Sequence, residues 1–178
     1  GRMLIQAGAN YPVSIYILEN DSNCPAAAIC KNFVKGDIKN FDDVYNFGKD
    51  LDVLTIEIES VNVEALEKLE AEGKKIYPNT TALKTIKSKI AQKQFYKKNE
   101  IPTSDFIITQ NKNETSGQAQ FLPAVHKLDM GGYDGKGVQI LKTEKDFDLA
   151  FDAPSVLEKM VTIKKEVAVL IAVADDGS

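Results

Sequence analysis

Gly131-Gly132-Tyr133-Asp134-Gly135-Lys136-Gly137 places four glycines in seven positions. The run lies between two β-rich stretches, Pro123 to Leu128 and Val138 to Lys142, which read as the arms of a hairpin. Glycines permit positive φ and close backbone approach, and successive amides in such a turn form an anion nest. Lys127, at the end of the preceding strand, and Lys136, inside the loop, each offer a point charge to a phosphate. No Gly-Lys-Ser/Thr precedes a helix, which excludes a Walker loop. A strand follows instead of a helix, which excludes the dinucleotide fingerprint. What remains is a glycine-rich hairpin over phosphates, in the manner of kinase lids, or an ordinary tight turn.

Downstream, residues 144–151 form a short amphipathic helix and Val156-Leu157-Glu158-Lys159 a strand. Beyond it, Lys159, Met160 and Val161 are of mixed polarity. Exposed backbone groups there can read an adenine edge while Met160 and Val161 cover its face. Glu166 is suited to accept from ribose hydroxyls. Residues 166–174 read as a further strand, and Asp175-Asp176-Gly177-Ser178 as a hairpin turn, so a returning strand is expected and the chain reads as a fragment. Upstream, Phe106-Ile107-Ile108 is a strand and residues 110–120 a polar loop. His126, the single histidine, alternates with Lys127 and so faces the opposite side of its strand. A structural histidine and a general base are both open readings.

The first part of the chain has a different rhythm. Val13 to Leu18, Asp52 to Glu57 and Ile76 to Pro78 read as strands. Helices over 42–50 and from Val63 to Glu72 separate them, the second capped by Asn62 and stopped by Gly73. Strands alternating with helices predict a parallel sheet covered on both faces. A long helix, capped by Thr80 or Thr81, follows from Ala82 to about Lys98. Its apolar stripe is Leu83, Ile86 and Ile90. Its other faces carry Lys84, Lys87, Lys89, Lys93, Lys97 and Lys98 with no acid among them, a solvated face from which one or two lysines can reach a phosphate.

The 178 residues carry a formal charge of −4, with 43% apolar and 27% charged residues. Those values exclude a generally basic nucleic-acid binder and a disordered chain, and no apolar run approaches the roughly 18 residues a membrane span needs. Residues 1–80 hold 8 basic and 13 acidic side chains, and residues 81–178 hold 14 and 13. The second part is therefore better suited to an anionic ligand. Cys24 and Cys30 lack a zinc spacing and read as reduced, buried thiols or as a disulfide or metal pair.

These residues resemble the ATP-grasp enzymes, and among them the N5-carboxyaminoimidazole ribonucleotide synthases. Gly1-Arg2-Met3-Leu4 is similar to the tail of that family's N-terminal Gly-Gly-Gln-Leu-Gly-Arg-Met loop. Thr55-Ile56-Glu57-Ile58-Glu59-Ser60-Val61 is similar to its Thr-x-Glu-x-Glu-x-Val strand end. Tyr77-Pro78, the helix Lys89 to Phe95, Ile101-Pro102-Thr103 and the Tyr-Asp inside the glycine loop match in turn. The resemblance implies an α/β fold. A Rossmann-like pre-ATP-grasp domain spans 1–80, a linking helix 81–102, and the truncated lid part of an ATP-grasp fold 103–178, with the large catalytic C-terminal domain absent.

It also implies a reaction and a site. ATP and bicarbonate form carboxyphosphate, which carboxylates 5-aminoimidazole ribonucleotide in purine biosynthesis. ATP binding falls to Lys89, Lys127, Gly131, Gly132, Tyr133, Asp134, Gly135, Lys136, Gly137, Glu158, Lys159, Met160, Val161 and Glu166. Tyr133, Asp134 and Glu57 are the residues implied for the ribonucleotide. The Mg²⁺ ligands and the catalytic acids are expected beyond Ser178, so these residues alone are expected to be inactive. A cytoplasmic homodimer, with no nucleic-acid or membrane partner, is the implied setting. Three departures stand out: Lys89 for the commoner arginine, Val138 for a glutamine, and Leu128-Asp129-Met130 for a usually basic stretch. Alternatives from the residues alone are another ATP-grasp ligase, a nucleotide-binding module without catalysis, and a Rossmann oxidoreductase holding a ribose on Glu19 or Asp21.

Overall fold

The computed structural model describes residues 1–132 and 136–171. Tyr133, Asp134 and Gly135, and the expected turn over 175–178, lie outside the described residues. In the first part, β1 (Tyr16–Glu19) pairs in parallel with β2 (Asn32–Lys35), and β3 (Val53–Thr55) with β4 (Lys75–Tyr77). The expected single parallel sheet is, among the described residues, two parallel pairs. A cleft of about 1220 Å³ is lined by consecutive residues 12–19 and 50–58. Neighbouring strand residues point to opposite faces, so this cleft runs along the edges of β1 and β3. β2 and the first helix, α1 (Arg2–Gly8), were not expected from the sequence.

Three helices pack on this part: α2 (Phe41–Gly48), α3 (Val63–Ala71) and α4 (Thr80–Lys87). Their inward stripes meet β3 and β4 in a core of Val44, Leu54, Val61, Ala65, Leu66, Leu69, Ile76 and Leu83. Asn40 and Asn62 cap α2 and α3 through side-chain oxygens that accept from the amide three residues on, satisfying donors that have no partner inside the helix. Asn79, rather than Thr80 or Thr81, caps α4.

The expected long helix is broken. Ser88 is extended (φ −107°, ψ 121°), closing α4 and capping α5 (Lys89–Lys98) through its hydroxyl. The periodicity of Leu83, Ile86 and Ile90 runs through the break and conceals it, because no Gly or Pro marks the site. A serine hydroxyl that bonds a nearby amide favours caps over helix interiors, and here that local bond wins.

The second part is a four-stranded antiparallel sheet, in the order β5-β8-β6-β7. Its strands are β5 (Phe106–Thr109), β6 (Ala124–Leu128), β7 (Val138–Leu141) and β8 (Ser155–Lys159). Ala124, Leu141, Phe147, Ala150 and Leu157 form its core. The stretch 110–120, read as a loop, folds into α6 (Lys112–Ser116), capped by Asn111, and the start of a 3₁₀ turn, Ala119–Phe121. The amphipathic helix over 144–151 is a 3₁₀ helix, Glu144–Leu149, closed by a capping box between Thr143 and Asp146.

One expected strand, over 166–174, is not formed among the described residues. Residues 166–171 are irregular, with Val167, Val169, Leu170 and Ile171 between 78% and 95% exposed. β-propensity is realised through pairing with neighbours, and among the described residues nothing pairs with this segment. Cys24 and Cys30 are free thiols, Cys30 buried.

Candidate functional site

The β6–β7 hairpin is closed at its neck by backbone contact. Leu128 N–H donates to Gly137 O at 2.9 Å. A Cβ on Gly137 would lie 2.3 Å from the Cα of Gly132, and a Cβ on Gly132 would lie 2.9 Å from the Cα of Gly137. Gly131 has φ +76°. Three glycines are thus required by close approach or by handedness. Lys136 is exposed beside the neck.

Asp129 ties this hairpin to the break between α4 and α5. Its Oδ1 accepts from Ser88 Oγ at 2.5 Å and from Ile90 N–H at 2.9 Å. Its carbonyl accepts from Lys89 N–H at 3.0 Å, and its own N–H donates to Pro154 O. The acid that stands in a usually basic stretch is therefore the clamp at the base of the hairpin. A carboxylate at the start of α5 is also favoured by the helix dipole. Lys89 is half-buried immediately beside this clamp.

Strand pairing brings Lys127 and Glu158 together. Val125 lies opposite Glu158, and Lys127, two residues on, shares its face. Lys127 Nζ reaches Glu158 Oε1 at 2.9 Å. The second oxygen, Oε2, accepts from Ser104 Oγ at 2.9 Å and pairs with Lys93 Nζ at 3.0 Å. Lys93 is 7% exposed and also donates to Thr103 Oγ1 and Ser104 Oγ, at 2.6 and 3.2 Å. Burial opposes ionisation of Glu158, but the two lysines and Ser104 outweigh it and hold the carboxyl below its ordinary range. Lys93 sits inside the lysine-rich helix, where the lysines at neighbouring positions mask it. The signal was present in Thr103 and Ser104, which line up polar groups just after Pro102.

The segment after β8 is partly committed. Lys159 N–H donates to Asp105 O and Met160 N–H to Pro123 O, at 2.8 and 3.0 Å. Among the described residues the Val161 amide has no partner. Lys159 Nζ turns to the carbonyls of Phe121 and Leu122, both at 3.2 Å. Met160 and Val161 are 40% and 60% exposed. Glu166 is exposed in the irregular segment and is not brought to the lysines. Glu57 lies in the first part, where its Oε1 accepts from the Gly1 amino group at 2.5 Å.

His126 is fully buried on the opposite face of β6. Its Nδ1 accepts from Phe151 N–H at 3.4 Å, and Nε2 lies 3.5 Å from Thr115 Oγ1. Burial pushes its pKa down, so the ring is a neutral structural element remote from Lys127's face. Among the described residues no group of three acids, histidines or cysteines is placed to hold a metal.

Two domain families match in tandem, the ribonucleotide synthetase preATP-grasp domain over residues 1–87 and the ATP-grasp domain over 94–178. The chain is therefore an ATP-grasp-domain protein. It is similar to phosphoribosylaminoimidazole carboxylase of Vigna aconitifolia, 30% identical over 100% of this chain and 33% of that protein. It is similar to N5-carboxyaminoimidazole ribonucleotide synthase of Pseudomonas aeruginosa, 30% identical over 99% of this chain and 50% of that one. The solved carboxyaminoimidazole ribonucleotide synthase of Aspergillus clavatus complexed with ATP superposes with a TM-score of 0.81, at 30% identity, covering 92% of this chain and 45% of that one. Within the ATP-grasp proteins, the chain is closely related to the N5-carboxyaminoimidazole ribonucleotide synthases. It spans about a third to a half of the length of the curated relatives it matches.

Proposed function

We propose that these residues form the nucleotide-binding part of an ATP-dependent carboxylase acting on 5-aminoimidazole ribonucleotide. The observation that carries this reading is the placement of Lys127. Its ammonium is anchored on Glu158 at the base of a glycine-necked hairpin, on the strand adjacent to the one that runs out into Met160 and Val161. An ammonium has three donor positions, so Lys127 can keep Glu158 and still donate to a phosphate. Lys136 and the loop amides cover the same anion from above, with Lys89 beside the clamp. Adenine lies against Met160 and Val161, with the Val161 amide, unpartnered among the described residues, reading its edge. Glu166 is assigned to the ribose. Tyr133, Asp134 and Glu57 are assigned to the ribonucleotide.

The chemistry follows from that arrangement. A bicarbonate oxygen attacks the γ-phosphorus of ATP, and ADP leaves. The amine of the ribonucleotide then attacks the carboxyl carbon of carboxyphosphate, and phosphate leaves. Carboxyphosphate hydrolyses readily, so the hairpin's part is to close and exclude water. Mg²⁺, when bound, supplies charge neutralisation on the phosphates. The described residues offer no set of ligands for it. Residues 1–80 act as the pre-ATP-grasp domain, 81–102 as the link and 103–178 as part of the lid. The chain works in the cytoplasm as a homodimer.

The test is phosphate release from ATP with bicarbonate, with and without the ribonucleotide, on polypeptide of known intact mass that carries these residues. Stimulation by 5-aminoimidazole ribonucleotide supports the assignment. Stimulation by a different amine acceptor instead replaces it with another ATP-grasp ligase.

A further inference from the structure

We infer that Lys93 is a positioning residue for the phosphate-binding lysine, acting on Lys127 through Glu158. This rests on the reading of Lys127 as a phosphate ligand. Glu158 alone would cancel the charge of Lys127 and leave a neutral pair with little attraction for an anion. Lys93 adds the second positive charge, so the three groups carry a net charge of +1. The two lysines are not equivalent. The Lys93 side chain is 9% exposed and that of Lys127 is 32% exposed. The excess charge is therefore presented at the ammonium that solvent and ligand can reach.

The arrangement also fixes direction. Oε2 of Glu158 is taken by Lys93 and Ser104, which leaves Oε1 to hold Lys127. Lys93 is itself locked by Thr103 and Ser104 and lies 5.6 Å from the centre of the Phe106 ring. A buried carboxylate with well-placed donors keeps its geometry, whereas one that loses a partner is left uncompensated. Lys93 thus sets both the orientation of the carboxylate and the net charge of the group.

The experiment is calorimetric titration of the full polypeptide that carries these residues with ATP and, separately, with adenosine, which lacks phosphates. Lys93→Met leaves the group neutral and is expected to weaken ATP binding by about tenfold or more, with adenosine binding within about twofold of the parent. Lys93→Arg keeps the charge and should recover most of the ATP affinity. The pair Lys93→Met with Glu158→Gln removes one charge of each sign and restores a net +1. It should bind ATP more tightly than adenosine, though less tightly than the parent does, because Lys127 has lost its carboxylate anchor. This pair also leaves no unpaired buried carboxylate, so it decides the question if Lys93→Met alone is unfolded by circular dichroism. A folded Lys93→Met variant that binds ATP like the parent overturns the inference. So does one that loses ATP and adenosine alike, or a folded double variant that binds ATP no more tightly than adenosine. A parent chain that binds neither ATP nor adenosine overturns the nucleotide reading itself, and this inference with it.

Discussion

Gly132 and Gly137 approach so closely that neither has room for a Cβ, with Cα of Gly132 only 2.3 Å from where a side chain on Gly137 would begin. The hairpin is therefore pinched at its neck, where β6 leads out and β7 returns.

Alanine at Gly137 should open this neck. The clash is with backbone, which cannot swing away as a side chain can. A cost of about 1–3 kcal/mol is expected in denaturant melts. Gly131→Ala meets nothing within 4 Å, but its φ of +76° leaves a handedness cost of about 1–2 kcal/mol. Gly137→Ala should also deprotect the Leu128 amide in hydrogen exchange, since that amide bonds Gly137 O. Gly131→Ala should not.

Asp129→Ala removes the bonds to Ser88 Oγ and Ile90 N–H. A loss of about 1–2 kcal/mol follows, as for other helix-start caps. The local readout is faster exchange at Ile90 with little change at Leu66. Equal acceleration at both would mean that Asp129 acts on global stability only.

Two titrations set the acid limit of the fold. His126 is buried neutral, so its folded pKa lies below the unfolded value near 6.5. The unfolded chain then binds the proton more readily, and stability falls as pH drops below about 6.5. His126→Gln should flatten that part of the curve. Glu158 has a depressed pKa, so its contribution is full above the unfolded carboxylate value and is lost as pH falls through the lower folded value. Melting temperature against pH, compared with that of Glu158→Gln, reads the second limb.

Much of this was legible in residues. The strand–helix alternation of the first part and the strands flanking the glycine loop follow from period and turn chemistry. Lys127 and Glu158 could be singled out separately, but not as partners. Their contact depends on β6 pairing with β8, which is non-local and leaves no mark on either segment. Asp129 reads in sequence as a loss of positive charge, and only the break at Ser88 turns it into a cap. Lys93 is hidden by lysines at neighbouring positions of one helix. Residues 166–171 show the converse. Their β character is plain, yet nothing among the described residues pairs with them.

The most direct test of the account is hydrogen exchange, with and without saturating ATP, of the full polypeptide that carries these residues. Slower exchange confined to the hairpin arms, residues 127–132 and 136–141, and to Lys159, Met160 and Val161 is the predicted result, with Lys127→Met abolishing it. Equal exchange in both states, or protection confined to the cleft beside β1 and β3, would contradict the placement of the nucleotide beneath the hairpin.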